Sequence, residues 1–495
     1  MTKQNLKKSS KPRHRLLFSV MTIIFIVLIA EISLRLLGMF PAEKLFDKST
    51  KSDSWQENLF AGFMGIHESD PELLWKMKPN LNKSFVSTNS HGLTGPDVSY
   101  KKAPNTFRIM QLGDSTPLGI GLADWNTSFI WLLGKFLGHR MNQAVEVINA
   151  STAGYTSLQG LKYLQIEGLK YKPDLILVYL GNNDASFNGY LSDADLMQQA
   201  GQFVGLKKVF NKFRIYRLLK AFVLQFKNDK KYKNTDLRVR VDPESYRRNL
   251  QEIVDLCKKN NIDVILNTVP VPLTWPPGIE FKVFAGGRDT VSGTLFMPEY
   301  QRDMLTEKAA LALDWEMFEQ NYGEIDPWSK NVLRSAYTDT GDIQTNIEKY
   351  YAQLIPEADN SIACNNLGVL FWEEQNYDSA LVYLRRSIEE DPFNPVFCYN
   401  MGMTFYRAEQ SDSARYYLEL ARDHDYNSLR IKSEYNQIII DIAQENNIPL
   451  IDLDGLFAHL DREKLFVDHC HPNQTGHRLI AEQFAREMEN RNKKH

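Results

Sequence analysis

The sequence predicts an α/β protein: a doubly wound parallel five-stranded sheet with an inserted α-helical repeat region and an N-terminal transmembrane helix. Two observations set the body of the fold and a third adds the anchor. Short apolar runs at residues 107–112, 145–149, 175–180, 262–268 and 450–452 alternate with stretches whose apolar residues recur at helical spacing. Such alternation implies parallel strands with helices on both faces. Between the fourth and fifth runs, Leu367-Gly368…Phe371…Ala380…Leu384 is echoed by Met401-Gly402…Phe405…Ala414…Leu418 at a period of 34 residues. The third observation is a long apolar run behind a basic N-terminus.

That basic tail, residues 1–15, holds Lys3, Lys7, Lys8, Lys11, Arg13 and Arg15. The apolar run spans residues 16–30 and continues past Glu31 and Arg35 to residue 40, enough to cross a hydrocarbon core of roughly 30 Å as a helix. Positive charge on the N-terminal side keeps that end in the cytoplasm. The expectation is a single-pass membrane protein whose larger part is periplasmic or extracellular. A cleaved signal peptide would need small residues at −3 and −1. Ser33 has Glu31 two places before it and Gly38 has Leu36, so an uncleaved anchor over 16–40 is the reading. On a helix Glu31 and Arg35 share a face and can pair. Residues 41–104 form an N-terminal extension, in which 71–80 and 88–95 carry the Asn, Gly and Pro punctuation of short strands and turns. His91 reads as a surface turn residue.

The first part of the α/β unit covers 105–272. Strand 107–112 leads into Gly113-Asp114-Ser115. A helix at 129–139, a strand at 145–149, a helix at 157–169 and the wholly apolar strand 175–180 follow, the last ending in Gly181-Asn182-Asn183-Asp184. Residues 243–259 read as a helix with Asp242 as N-cap and Pro243 in its first turn. The helical insertion is placed at 273–429. Its start, 272–300, with Pro272, Pro276, Pro277, Gly286 and Gly287, is loop-like and expected to wall the site; the stretch to residue 360 reads as helical. The echo at 361–428 resembles two tetratricopeptide repeats, with Pro392 closing the first and Tyr426 standing where a proline would close the second. Their aromatic stripe, Phe371, Trp372, Tyr377 and Tyr383 with Phe405, Tyr406, Tyr416 and Tyr417, is read mostly as core, any surplus lining a groove for a protein or glycan partner. Residues 430–490 return to the sheet with strand 450–452, Asp468-His469-Cys470-His471 and a helix at 479–487.

In open α/β sheets sites form at the carboxyl ends of strands, and Ser115, Gly154 and Asn183 fall just past such ends. A serine hydroxyl becomes nucleophilic when an imidazole takes its proton, and the imidazole needs a carboxylate to hold its tautomer. Ser115 reads as the nucleophile, His471 as the base and Asp468 as its orienter. Gly113-Asp114-Ser115, Gly154, Gly181-x-Asn183-Asp184 and Asp468-x-x-His471 stand in the order of the four signature blocks of the SGNH (GDSL-type) hydrolases, which the chain resembles over residues 70–272 and 430–490. The flanks match too: Val147-Ile148-Asn149-Ala150 before the second block and Lys172-Pro173-Asp174-Leu175-Ile176 before the third. The resemblance implies an oxyanion hole made by the amides of Ser115 and Gly154 with the side-chain NH2 of Asn183. It also implies an acyl-Ser115 intermediate and no cofactor. Asp114 and Asp184 are read as holding their loops through Asx-type bonds to backbone N–H groups.

At 495 residues and 43% hydrophobic content the chain can bury a large core, and a net charge of −3 gives no electrostatic case for nucleic acid. Cys257, Cys364, Cys398 and Cys470 form no C-x-x-C pair; Cys364 and Cys398 occupy equivalent repeat positions and read as packing residues. A metal site on Asp468, His469, Cys470, His471 and His477 is the competing reading of the last block. It is disfavoured because adjacent ligands rarely reach one ion with good geometry. The function expected is serine ester hydrolysis, on a carboxylic ester or a carbohydrate O-acyl ester. Alternatives are an O-acetyltransferase on envelope polysaccharide, or a repeat scaffold whose esterase activity is secondary or lost.

Overall fold

The structure, a computed structural model, describes residues 11–37; 66–186 apart from 71, 84, 85 and 142; 191–201; 210, 213–216, 218 and 219; 239–277 apart from 276; 342–354; and 360–492 apart from 426, 427, 429, 460 and 461. The wall expected over 272–300 is thus described only to residue 277. The helices expected before 360 are described only from 342.

Helix α1 (Lys11–Leu36) covers most of the apolar run. The side chains of 11–17, 20, 23 and 24 lie outside the described residues. Among those described, no helix is long and apolar enough to cross a membrane. Arg35 pairs with Glu31 at 2.7 Å, as their spacing predicts. The extension folds as two small antiparallel hairpins, β1 (His67–Asp70) with β2 (Leu74–Met77) and β3 (Asn82–Lys83) with β4 (Val86–Ser87). The strand expected over 88–95 is reduced to single bridges, Thr88 to Thr94 and Thr94 to Asn149, because Gly92 and Gly95 both take positive φ and turn the chain. His91 is exposed in that turn, its Nδ1 2.5 Å from the Tyr171 hydroxyl.

The main sheet follows the predicted alternation. Strand β5 (Thr106–Gly113) is followed by the short helix α2 (Ser115–Leu118), helix α3 (Phe129–Gly138), β6 (Ala144–Asn149), helix α4 (Ser157–Ile166), β7 (Leu175–Tyr179), α5 (Asp193–Gly201), α6 (Pro243–Lys259) and β8 (Asp263–Asn267). Asp242 caps α6 by accepting from the Ser245 amide at 2.8 Å. The helix expected to run through 169 stops at 166 and tightens into a 3-10 turn over Gly168–Tyr171. There Gly168 packs so closely on Leu164 and Met110 that a Cβ would stand 3.1 Å from the leucine.

Helix α7 (Ile343–Gln353) precedes two antiparallel helix pairs, α8 (Ser361–Glu373) with α9 (Tyr377–Glu390) and α10 (Pro395–Arg407) with α11 (Ser411–His424). Gly368 and Gly402 make the same contact in each pair: a Cβ would meet Leu384 at 2.5 Å and Leu418 at 2.7 Å. Phe371 stacks on Tyr383 and Phe405 on Tyr417, while Tyr406 and Tyr416 face outward. Cys364 and Cys398 are buried free thiols, and burial pushes them up to about 11 and about 12. The pairs are docked to the α/β unit by Tyr399, whose hydroxyl donates to the Thr274 carbonyl (2.6 Å). Arg430 adds to this by donating to the Trp275 carbonyl (2.9 Å).

The chain then re-enters the sheet through α12 (Ser433–Asn446) and β9 (Leu450–Ile451), followed by α13 (Leu453–Ala458) and α14 (Gln474–Asn492). Helix α14 starts five residues before the expected 479, because the Asn473 side chain accepts from the Gly476 amide and opens it directly after Pro472. The five parallel strands lie in the order β6-β5-β7-β8-β9. Helix α14 packs on α3, and α4 and α12 pack on α6, so helices cover the sheet. The chain crosses from β5 to β6 on one side and then from β6 back past β5 to β7 on the other, making the carboxyl end of β5 a switch point.

His477 is fully buried in the seam between α3 and α14, stacked on Phe129, with its Nδ1 accepting from the Phe129 amide at 3.2 Å. Burial and the nearby His471 pull it down to about 3. The unfolded chain takes up this proton near pH 6.5 and the folded chain does not, so the residue costs stability as pH falls from there toward 3. His477→Gln is expected to narrow the drop in melting temperature between pH 7 and pH 5, read by thermal denaturation of both proteins.

Candidate active site

Helix α2 begins one residue after β5, with Asp114 as N-cap and Ser115 at its first position. Asp114 Oδ1 accepts from the Thr116 amide at 2.9 Å, the local bond expected of it. Its carboxyl is fully buried, which pushes it up to about 6 against the opposing pull of the Thr116 amide. Ser115 is 6% exposed.

The C-terminal loop brings the other two groups to it. His471 Nε2 lies 2.7 Å from Ser115 Oγ, and His471 Nδ1 lies 2.7 Å from Asp468 Oδ2. Asp468 Oδ1 accepts from the amides of Cys470 (3.0 Å) and His471 (2.8 Å), so the carboxylate is fixed through both oxygens. The loop is closed by the Val467 amide donating to the His471 carbonyl at 2.9 Å. Burial alone would raise Asp468, but the charges of His471 and His469 and these hydrogen bonds hold it below the usual carboxylate range. Burial would likewise lower His471; the Asp468 charge and hydrogen bond outweigh it and raise the imidazole above its ordinary value. The groups predicted from positions 115, 468 and 471 therefore form one hydrogen-bonded chain.

Gly154 lies on the loop after β6, at φ 80°, the left-handed region that favours glycine. That loop is tied to the nucleophile turn by the Thr152 amide donating to the Gly113 carbonyl (3.1 Å) and by the Asn149 side chain donating to the Pro117 carbonyl (2.9 Å). Asn183, on the loop after β7, donates its Nδ2 to the Tyr155 carbonyl at 3.1 Å. The second and third blocks are thus held together one residue past Gly154.

Two family models of known proteins match the chain: the GDSL-like Lipase/Acylhydrolase family over residues 112–292, and GDSL-like Lipase/Acylhydrolase over residues 363–484. Both models describe GDSL-like acylhydrolases; the first match holds Ser115 and the second holds Asp468 and His471. The chain is an ester-hydrolysing enzyme. Among solved structures, it is similar to a lipase/acylhydrolase from Enterococcus faecalis at 13% identity and a TM-score of 0.32, covering 78% of this chain and 96% of that one. It is also similar to the acetyl xylan esterase AlAXEase (12%, TM-score 0.30, covering 76% and 98%) and to Axe2, an acetylxylan esterase from Geobacillus stearothermophilus (12%, TM-score 0.31, covering 77% and 93%). Likenesses this distant add nothing to the assignment, which rests on the family models. No curated protein sequence matches the chain.

In this enzyme Asp184 departs from the local role expected of it. Its carboxylate accepts from the Ser157 amide (2.9 Å) and hydroxyl (2.5 Å) at the start of α4, where helix amides lack intrahelical partners. Burial pushes it up to about 7 against those bonds. Of the cluster weighed as a metal site, Asp468, Cys470 and His471 each place one ligand atom within 4.8 Å of the others. Both nitrogens of His471 are taken by Asp468 and Ser115, and His477 is turned into the core. The sequence reading missed several residues that shape the site. Trp275 packs on His469, ring centroids 5.5 Å apart, beside the base. Arg240 and Asp193 form a buried pair (2.9 Å) that reaches Thr156 and Gln159 behind the Gly154 loop. The buried pair's partners lie dozens of residues away, and no local pattern marks them.

Proposed function

We propose that this enzyme is a membrane-anchored serine esterase that cleaves carboxylic esters, carbohydrate O-acyl esters among them, through an acyl-Ser115 intermediate on the exported side. The observation that carries the reading is the unbroken Ser115–His471–Asp468 chain, with both links at 2.7 Å. As the Ser115 oxygen attacks the ester carbonyl, its proton passes to His471 Nε2. Asp468 holds Nδ1–H and stabilises the imidazolium. The amides of Ser115 and Gly154 and the side chain of Asn183 receive the oxyanion. The C–O bond to the alcohol breaks with return of the Nε2 proton to the leaving oxygen. Water, deprotonated by the same nitrogen, then releases the acid and restores Ser115. A sugar hydroxyl in place of that water would make the enzyme an O-acetyltransferase.

Anchoring through residues 16–40 is supported by the apolar run behind the basic tail in the sequence, which is helical as far as Leu36. Its consecutive residues Phe25–Ile29 are all exposed and apolar, and so cover every face. The tetratricopeptide reading of 361–428 is supported by the matching Gly368–Leu384 and Gly402–Leu418 contacts. A partner on the exposed Tyr406 and Tyr416 belongs to that reading.

The test is labelling of the full chain in membranes with a serine-directed fluorophosphonate, followed by peptide mapping and by assay on an acetylated oligosaccharide. Modification at Ser115, acetate release and sedimentation with membranes until detergent is added are the expected results. A label elsewhere would refute the site, and acetyl transfer without acetate release would favour the transferase.

A further inference from the structure

We infer that Trp75, on the N-terminal hairpin, is a positioning residue for the oxyanion hole; the inference rests on the role proposed for Gly154 and Asn183. Two hydrogen bonds straddle Gly154. The Trp75 indole Nε1–H donates to the Ala153 carbonyl at 3.1 Å, and the Tyr155 hydroxyl donates back to the Trp75 carbonyl at 2.9 Å. The Ala153 carbonyl and the Gly154 N–H belong to one planar trans peptide unit and point in opposite directions. A donor fixed on that oxygen therefore sets the direction of the amide on the other side. Drawing electron density to the oxygen also makes the N–H a better donor, since linked hydrogen bonds polarise one another.

The second donor hangs on the same loop. Asn183 spends one of its N–H groups on the Tyr155 carbonyl (3.1 Å), which leaves the other for an oxyanion. Tyr155 is in turn held by its hydroxyl bond to Trp75 and by an edge-on ring contact with the indole. One residue of β2 thus orders the supports of two donors. Trp75 itself is pinned from behind. The Arg240 guanidinium lies over its ring at 5.4 Å from the centroid, fixed by Asp193 and Gln159, and Gln159 Nε2 donates to the Leu73 carbonyl at 2.8 Å. The indole also packs tightly on Gly154, where a Cβ would stand only 3.3 Å from its ring. That packing needs a ring; the Ala153 bond needs the indole N–H.

Trp75→Phe in the full chain separates the two, because it keeps an aromatic ring and removes the donor. With an aryl acetate as substrate, kcat is expected to fall about 10-fold with KM within about twofold, the signature of a lost transition-state interaction. Phosphonylation of Ser115 by a fluorophosphonate should slow in parallel. The acid limb of the pH profile should stay in place, because the Ser115–His471–Asp468 chain is untouched. Wild-type kcat in Trp75→Phe, a raised KM with kcat unchanged, or a displaced acid limb would each overturn the inference. If Trp75→Phe does not fold, Tyr155→Phe reports on the same loop: a kcat loss of about threefold or more supports the inference, and wild-type turnover overturns it. A wild-type protein that neither hydrolyses the ester nor reacts at Ser115 would instead sink the functional reading, so the two failures are told apart.

Discussion

Ser115→Ala is expected to lower kcat for ester hydrolysis by about 10⁵-fold or more, leaving only the rate that oxyanion donors and binding supply. The size follows from the arrangement. Ser115 Oγ is the acceptor of the acyl group, and no second hydroxyl is held against His471 Nε2 among the described residues. Folding should survive, because the change deletes one oxygen at the start of a short helix whose N-cap bond comes from Asp114 instead. The cost is one hydrogen bond and an imidazole nitrogen left without its partner, about 1–2 kcal/mol. Turnover measured beside thermal denaturation checks both halves. A fall in activity tracking a fall in melting temperature would point to unfolding, and retained turnover would place the chemistry elsewhere.

The parts of this enzyme that were legible in its sequence are those set by short-range patterns. Apolar-rich runs locate β5 to β9 to within a residue or two, since strands covered on both faces are mostly apolar, although β5 carries buried Arg108 and Gln111 and β6 and β8 end in buried Asn149 and Asn267. Asp242 and Pro243 mark the start of α6 for an equally local reason. The glycine at 154 and the Asp468–His471 spacing also lie within one turn or loop. What escaped depends on partners far apart along the chain. Trp75 meets Ala153, Arg240 meets Asp193 and Gln159, and Tyr399 meets Thr274, each across dozens of residues. Asp184 was misread for that reason: its sequence neighbours suggested a local turn bond, whereas the unsatisfied amide of Ser157 competes for it in three dimensions. Where α4 tightens early, Gly168 lies close against Met110 of β5, a long-range contact on which helix propensity does not report.

Asp468→Asn is expected to cut kcat by about 10⁴-fold while leaving the fold intact. Asp468 Oδ1 accepts two backbone amides, so an asparagine keeps its carbonyl oxygen there and turns its NH2 toward His471 Nδ1. That nitrogen must then accept, which places the ring proton on Nε2, facing Ser115, where a lone pair is required. The pH profile carries a second signature. A base works only when neutral, and His471 sits above the ordinary histidine value because the Asp468 charge overcomes burial. With the charge removed, burial is left to lower it, so the acid limb of kcat/KM should move to lower pH even as the plateau drops. Asp114 also raises His471, but it is a buried carboxyl that itself titrates at about 6. If the limb stays in place in Asp468→Asn, the proton affinity of His471 comes from Asp114, and Asp114→Asn should move it instead.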